Sequence, residues 1–305
     1  MFNFVQRRRI YFTISAIVLS LGILAMAIST VRTGSPFLVG VDFQSGTRFE
    51  VQFTEPVDET QIREVFSDFG VANPSVTSLA GEELENAWQI RSESMTPEET
   101  NQIQEALSER VAPLVPGVTR VESVSASVAA EVTRAAFIAV IVSAIIILLY
   151  IMFAFRQVPH PFRYGASAVA AMMHDITVIF GFISITGLVF GWEVDALFLT
   201  AALTVAGFSL QDTIVVFDRI RENTRRYPLE DYETLVNRSV LETIHRSLAT
   251  QLNAMFVLVA IMLFGGASIR HFIAVLFIGL LSGTYSSICN AVPILVAWEK
   301  RAEAA

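Results

Sequence analysis

GFSLQDTIVVFDRIREN, residues Gly207 to Asn223, runs from the inner half of an apolar helix into a burst of charge. Asp212 sits inside it, with Thr204, Val205 and Ala206 behind and Ile214, Val215 and Val216 ahead. A carboxylate at membrane depth costs about 2.5–3.5 kcal/mol on insertion scales, so it is normally functional, paired or turned to a cavity. Six residues later Asp218, Arg219, Arg221 and Glu222 mark the return to water. The stretch therefore reads as the end of a membrane span that carries an acid for chemistry rather than for packing.

Composition agrees with a membrane chain. The 305 residues are 53% hydrophobic and 16% charged, with a mean hydropathy of +0.55. The net charge of −8 is unevenly spread: between Arg32 and Arg134 there are 17 acids against 7 arginines, a net of −10, and the rest of the chain is at +2. That acidity belongs to one hydrophilic domain and argues against nucleic acid or anionic lipid as its partner. The lone Cys289 excludes a disulfide framework. Without GxxxxGK[ST], GxSxG or HExxH, the chain offers no ATPase, hydrolase or zinc-protease signature. It reads as a non-enzyme with no catalytic residue, no bound cofactor and no metal.

Outward from the acid-bearing stretch, the chain resolves into six spans and one soluble insert. Residues 1–31 hold a cytoplasmic N-terminus and a first span, Tyr11 to Val31, about 21 residues and long enough for a core of roughly 30 Å. Arg7, Arg8 and Arg9 resemble the front of a signal peptide, but the apolar run is too long and no small-residue cleavage site follows, so the span is expected to be retained. Residues 32–134 form the soluble domain, and residues 135–298 hold five more spans, near 135–155, 164–189, 196–217, 248–264 and 272–297. A tail, 299–305, closes the chain.

In the soluble domain GTRFEVQF (Gly46 to Phe53) alternates as a strand. Asp58 can cap a helix with Ile62, Val65, Phe66 and Phe69 on its apolar face, ended by Gly70. Strands near 75–80 and 86–92 follow across the turn Gly81-Glu82-Glu83. Thr96 caps a helix opened by Pro97 with Ile103 and Leu107 inward, and a last strand spans about 118–128. The β-α-β-β-α-β order predicts an α+β ferredoxin-like domain inserted in an all-α six-helix bundle. Loop 218–247 has Leu229, Tyr232, Leu235, Val236, Val240 and Ile244 in helical period, which predicts an amphipathic helix lying at the membrane surface. Lys and Arg number 3, 2, 6 and 2 in the N-terminus, the 156–163 loop, the 218–247 loop and the C-terminus. The loops near Gly191 and Gly266 carry none and one. Both termini are thus expected in the cytoplasm and residues 32–134 outside it.

Three features inside the membrane bear on chemistry. Asp212, with Ser209 one turn earlier and Thr213 beside it, reads as a proton-binding carboxylate, against a protonated acid that merely ties helices together. His174–Asp175, ten residues into the third span, is either a proton relay or an interfacial anchor. Arg246, in NRSVLETIHRSLATQ (Asn237 to Gln251), needs an acceptor where the fifth span begins, and Asp212 is the candidate by depth; the alternative is a snorkelling arginine. Small residues at four-residue spacing (Ala202 and Ala206, Gly279 and Gly283, Ser167 and Ala171) signal helix packing. The faces in spans four and six are expected to meet a partner bundle.

GFSLQDTIVVFDRIREN, NRSVLETIHRSLATQ, FGG at Phe264 to Gly266 and the early VGVDFQSGT resemble the SecF members of the SecD/SecF family of the bacterial Sec translocase, along the whole chain. One departure is Ser45, where that family usually has a second glycine. The resemblance implies a multi-pass protein of the inner membrane, related to resistance–nodulation–division transporters, that uses the proton motive force to assist preprotein movement after the ATP-driven stage. It implies protons as the coupling ion, conducted through Asp212 and Arg246. It implies SecD as heterodimer partner, the SecYEG channel, YajC and YidC as further partners, and the translocating polypeptide as cargo within the lipid bilayer. Six spans with one outer domain look like one repeat of a twelve-span pseudosymmetric transporter. A self-sufficient small-molecule or lipid exporter would need larger outer domains, and a pure scaffold leaves Asp212 unexplained.

Overall fold

A computed structural model describes residues 3–71, 74–79 and 85–303, and divides the chain into two units, Val39–Phe137 and Met1–Leu38 with Ile138–Ala305.

In the first unit a short helix α1 (Val41–Gln44) leads into β1 (Gly46–Gln52), followed by α2 (Glu59–Asp68), β2 (Ser75–Leu79), β3 (Ala87–Ser92), α3 (Pro97–Arg110) and β4 (Arg120–Val124). The strands form one antiparallel sheet in the order β2-β3-β1-β4. Phe49, at the centre of β1, lies opposite Ile90 on one side and Val121 on the other. The period of two puts Phe49, Val51 and Phe53 on one face, where they bury against Ile62, Val65 and Phe66 of α2 and Ile103 and Leu107 of α3. Phe49 meets Phe66 edge-on at 5.2 Å. Both helices start on capping boxes: the Asp58 carboxylate accepts the Thr60 N–H at 3.0 Å, and Thr96 and Glu99 bond reciprocally.

One local expectation changes. The last strand is shorter, Arg120–Val124, because the next helix already begins at Ala126. The expected turn Gly81-Glu82-Glu83 lies outside the described residues. Ser45, in the place of a second glycine, is held at φ 62°, a left-handed conformation that glycine adopts freely and serine only with strain.

The second unit contains α4 (Ala126–Ala154) from Ile138 onward, and among the described residues six helices are long and apolar enough to cross a membrane. The others are α5 (Arg8–Thr33, first in sequence), α6 (Pro161–Phe190), α7 (Ala196–Arg226), α8 (Tyr232–Phe264) and α9 (Ala267–Ser286) continued through a π-helical turn, Ser287–Ala291, into α10 (Val292–Glu303). The π turn has a local cause: Pro293 has no N–H for the carbonyl four residues back, and its ring crowds that carbonyl.

The surface helix expected over 218–247 is absent. α7 runs on to Arg226 and α8 is unbroken from Tyr232 to Phe264, so the amphipathic segment continues the fifth span along one axis. Leu235, Val236 and Val240 do form its apolar stripe, but they bury against Val216, Phe217 and Ile220 of α7 and Val292 and Val296 of α10. Periodicity marks a helix with one apolar face and does not say whether lipid or protein covers it. The ends of the helices are fastened by charge: Lys300 bonds Glu233 at 2.8 Å, Arg8 reaches the same carboxylate, and Arg219 bonds Glu242 at 2.6 Å.

The small residues of the fourth and sixth spans pack within the chain: Gly279 and Gly283 face Val205 and Ser209 of the fourth, and Ala206 lies against Met172 and Ile176 of the third. A Cβ on Gly279 would lie 2.1 Å from Val205 Cγ2, and one on Gly283 would lie 3.2 Å from the Ser209 Cα. The first and third spans cross just as closely, with Gly181 3.1 Å from where a Gly22 Cβ would stand. Backbones at this separation gain dispersion contacts that lipid cannot supply.

Candidate functional site: a buried acid on α7 and a second on α6

The close α7–α9 crossing brings polar residues together at membrane depth. Asp212 on α7 is 3% exposed, and Gln251 Nε2 of α8 donates to its Oδ2 at 2.8 Å. Ser247, one turn earlier on the same face of α8, is buried nearby with its hydroxyl unbonded, as is Gln251 Oε1. The acid is thus desolvated between two helices with one amide as its bonded partner and spare polar atoms around it.

Arg246 precedes Ser247, and one helical residue turns it by about 100° away from that face. It is exposed, and among the described residues no ion pair joins it to Asp212. Gln251 occupies the place that the sequence reading gave to the arginine. Arg246 stands five residues, or about 7.5 Å of helix rise, from Gln251.

Of Ser209 and Thr213, expected beside Asp212, the first bonds the other acid and the second only the backbone of α7. Ser209 Oγ donates to Asp175 Oδ2 at 2.5 Å, while Thr213 Oγ1 donates to the Ser209 carbonyl at 3.2 Å. Asp175 on α6 is fully buried and also accepts from Ser282 at 2.6 Å and Ser286 at 2.6 Å, both on α9. The His174 Nδ1 lies 3.1 Å from its Oδ1. One carboxylate thereby joins three helices. Ser209 and Asp212 sit three residues apart on α7, one bonded to α6 and the other to α8.

Gln251, Ser247, Ser282 and Ser286 were not singled out in the sequence. Gln251 ends the quoted stretch NRSVLETIHRSLATQ, and an amide four residues beyond Ser247 in an otherwise apolar span was the available signal. Ser282 and Ser286 are likewise four residues apart. Among the described residues no group of His, Cys, Asp and Glu has the arrangement of a metal site.

Known proteins share this chain's sequence and shape. Residues 103–301 match the family described as protein export membrane protein SecD/SecF, C-terminal, and residues 40–57 match the SecD/SecF GG motif. The protein translocase subunit SecF of Anaerolinea thermophila is 39% identical over 302 residues, covering 98% of this chain and 94% of its own. The protein translocase subunit SecDF of Bacillus subtilis is 32% identical over 98% of this chain, which spans 38% of that longer protein. The crystal structure of SecDF, a translocon-associated membrane protein from Thermus thermophilus, superposes with a TM-score of 0.81 at 29% identity, over 98% of this chain and 39% of that one. With a family match over most of its length and full-length relatives above 30% identity, the chain belongs to the SecD/SecF family of protein export membrane proteins.

Proposed function

We propose that the chain is the SecF-type subunit of a Sec protein translocase, using the proton motive force with a SecD partner to help preproteins across the cytoplasmic membrane after the ATP-driven stage. The single observation that carries the reading is Asp212, 3% exposed and bonded through one oxygen to Gln251 at 2.8 Å, on a membrane-crossing helix. An acid buried at that depth without a bonded cation is suited to take up and release a proton. The coupling ion is the proton, with Asp212 the loading group and Arg246 the cation that meets it in another state of the cycle.

A partner is needed because polar side chains remain at the surface of the same helices. Thr200 and Gln211 of α7 are exposed, as are Arg246, Thr250 and Asn253 of α8, the last three in steps of four and three residues. Such stripes are costly against lipid and fit a second helical bundle. SecD is the proposed occupant, with SecYEG, YajC and YidC as further associates and no enzymatic activity in the chain. The sheet order β2-β3-β1-β4 with two helices on one face supports a ferredoxin-like domain. Its acidic surface and the basic loops between spans support an extracytoplasmic domain at 32–134 and cytoplasmic termini.

The test uses inverted membrane vesicles prepared with and without this chain, loaded with a preprotein and limiting ATP. Export stimulated by an imposed proton gradient should require the chain. Equal stimulation in vesicles that lack it contradicts the reading.

A further inference from the structure

His174 has one atom that none of the bonds described above uses. Asp175 accepts hydrogen bonds from Ser209, Ser282 and Ser286, and its remaining near contact is His174 Nδ1 at 3.1 Å. An ionised Asp175 offers only acceptor sites, and opposite it Nδ1 carries the ring hydrogen. The other tautomer would set two lone pairs against each other and leave an Nε2–H buried without an acceptor. Nε2 therefore holds a bare lone pair. The His174 side chain is only 9% exposed, and Nε2 is buried with no partner among the described residues. Buried polar atoms in folded proteins are nearly always bonded, so an orphan on a titratable ring calls for a role.

We infer that His174 Nε2 is a proton-accepting atom of the coupling path. A hydronium ion gives up one O–H proton to the Nε2 lone pair, leaving water and an imidazolium beside Asp175, and on release the N–H bond breaks as the proton passes to another water. Among the described residues no lysine or arginine is bonded to Asp175, so protonation at Nε2 supplies the one cation in contact with that carboxylate. The inference rests on the proton-driven reading above.

The groups that face the ring are few. Asp175 adjoins it on α6, and Tyr285 of α9 stacks obliquely with ring centroids 6.3 Å apart. Behind Tyr285 lie the Tyr11 carbonyl of α5, bonded at 2.7 Å, the Tyr11 phenol and the Cys289 thiol of the π turn. From α7 the nearest bonded group is the neutral Ser209, with Asp212 three residues on. The ring thus stands beside one acid within an otherwise uncharged set of contacts.

An asparagine at 174 can place its amide N–H near Nδ1 and keep the bond to Asp175, but it has no counterpart of Nε2. In the purified complex, His174→Asn should assemble and support ATP-driven export while losing gradient stimulation by at least about tenfold. Wild-type stimulation in His174→Asn overturns the inference, because a donor to Asp175 would then be all that the ring supplies. Asp212→Asn is run beside it. If both variants keep stimulation, the proton-driven reading itself falls; if only His174→Asn keeps it, this inference alone falls. Should His174→Asn fail to assemble, ring-15N NMR of the wild-type chain in bilayers decides. It should show Nδ1–H with a bare Nε2 that gains a proton on acidification, and a neutral ring carrying its hydrogen on Nε2 overturns the inference.

Discussion

Gln251 Nε2 donates to Asp212 Oδ2 across 2.8 Å, so an amide of the fifth span, not an arginine, is the bonded partner of the buried acid of the fourth. The bond ties α7 to α8 in the state described here. Gln251→Leu keeps the volume and removes the donor. Leaving a buried acid unbonded costs about 1–3 kcal/mol. The variant should melt at lower temperature and show weaker gradient stimulation with its partner still bound. Unchanged melting and stimulation would mean that the bond contributes nothing to either.

Arg246 follows from the same geometry. Its side chain is exposed and not paired with Asp212, so Arg246→Met should leave the folded chain nearly as stable as before, within about 0.5 kcal/mol. Gradient-driven export should nevertheless fall, and Arg246→Lys should keep part of it. A large loss of stability in Arg246→Met would show the arginine to be structural.

At the α7–α9 crossing, the Gly279 position leaves no room: a Cβ would stand 2.1 Å from Val205 Cγ2. Val205 is β-branched and stiff in a helix, so it cannot turn aside. Gly279→Ala should destabilise the chain by about 1–3 kcal/mol. Val205→Ala combined with it should recover part of the loss, as neighbours in contact are not additive. Thermal unfolding in detergent of the single and double variants checks this.

Ser45 gives a prediction of the opposite sign. It is held at φ 62° at the entrance to β1, and Ser45→Gly relieves that strain while adding freedom to the unfolded chain. The balance should favour the variant by up to about 1 kcal/mol, read as a higher melting temperature for the soluble domain. A lower one would show that the serine is held there by contacts worth more than the strain.

How far the sequence could be read is clearest from particular residues. Asp58 and Thr96 announced their helices because capping is local: each box closes within four residues. Phe49, Val51 and Phe53 announced a strand because side chains alternate with period two. Asp212 was visible because burying an acid in an apolar helix is costly whatever surrounds it. What Asp212 touches was not visible, since Gln251 lies 39 residues away and only the packing of α8 on α7 brings it there. The Asp175 cage was hidden for the same reason, its serines coming from positions 34, 107 and 111 residues along the chain. The period of Leu235, Val236 and Val240 marks a helix face, but only the packing of α8 on α7 and α10 shows that protein covers it.

The soluble domain should loosen in acid. Hydrogen bonds from Thr60 to Asp58 and from Thr96 to Glu99 hold both carboxylates below their usual range. A group depressed in the folded state lends stability above its ordinary titration range and loses it as pH falls through the folded value. Amide exchange in the first turns of α2 and α3 should therefore quicken, after correction for intrinsic rates, as pH drops below about 4. Protection independent of pH there would remove the caps from the account.

The central claim is that Asp212 gains and loses a proton as export proceeds. Asp212→Asn fixes the neutral form at nearly constant size and can keep a hydrogen bond to Gln251, so the complex should assemble. The measurement is preprotein export into inverted vesicles with an imposed proton gradient and limiting ATP, at matched expression. Loss of gradient stimulation with ATP-driven export intact is the predicted result. Wild-type stimulation in the Asp212→Asn protein would contradict the claim and leave Asp212 a structural acid.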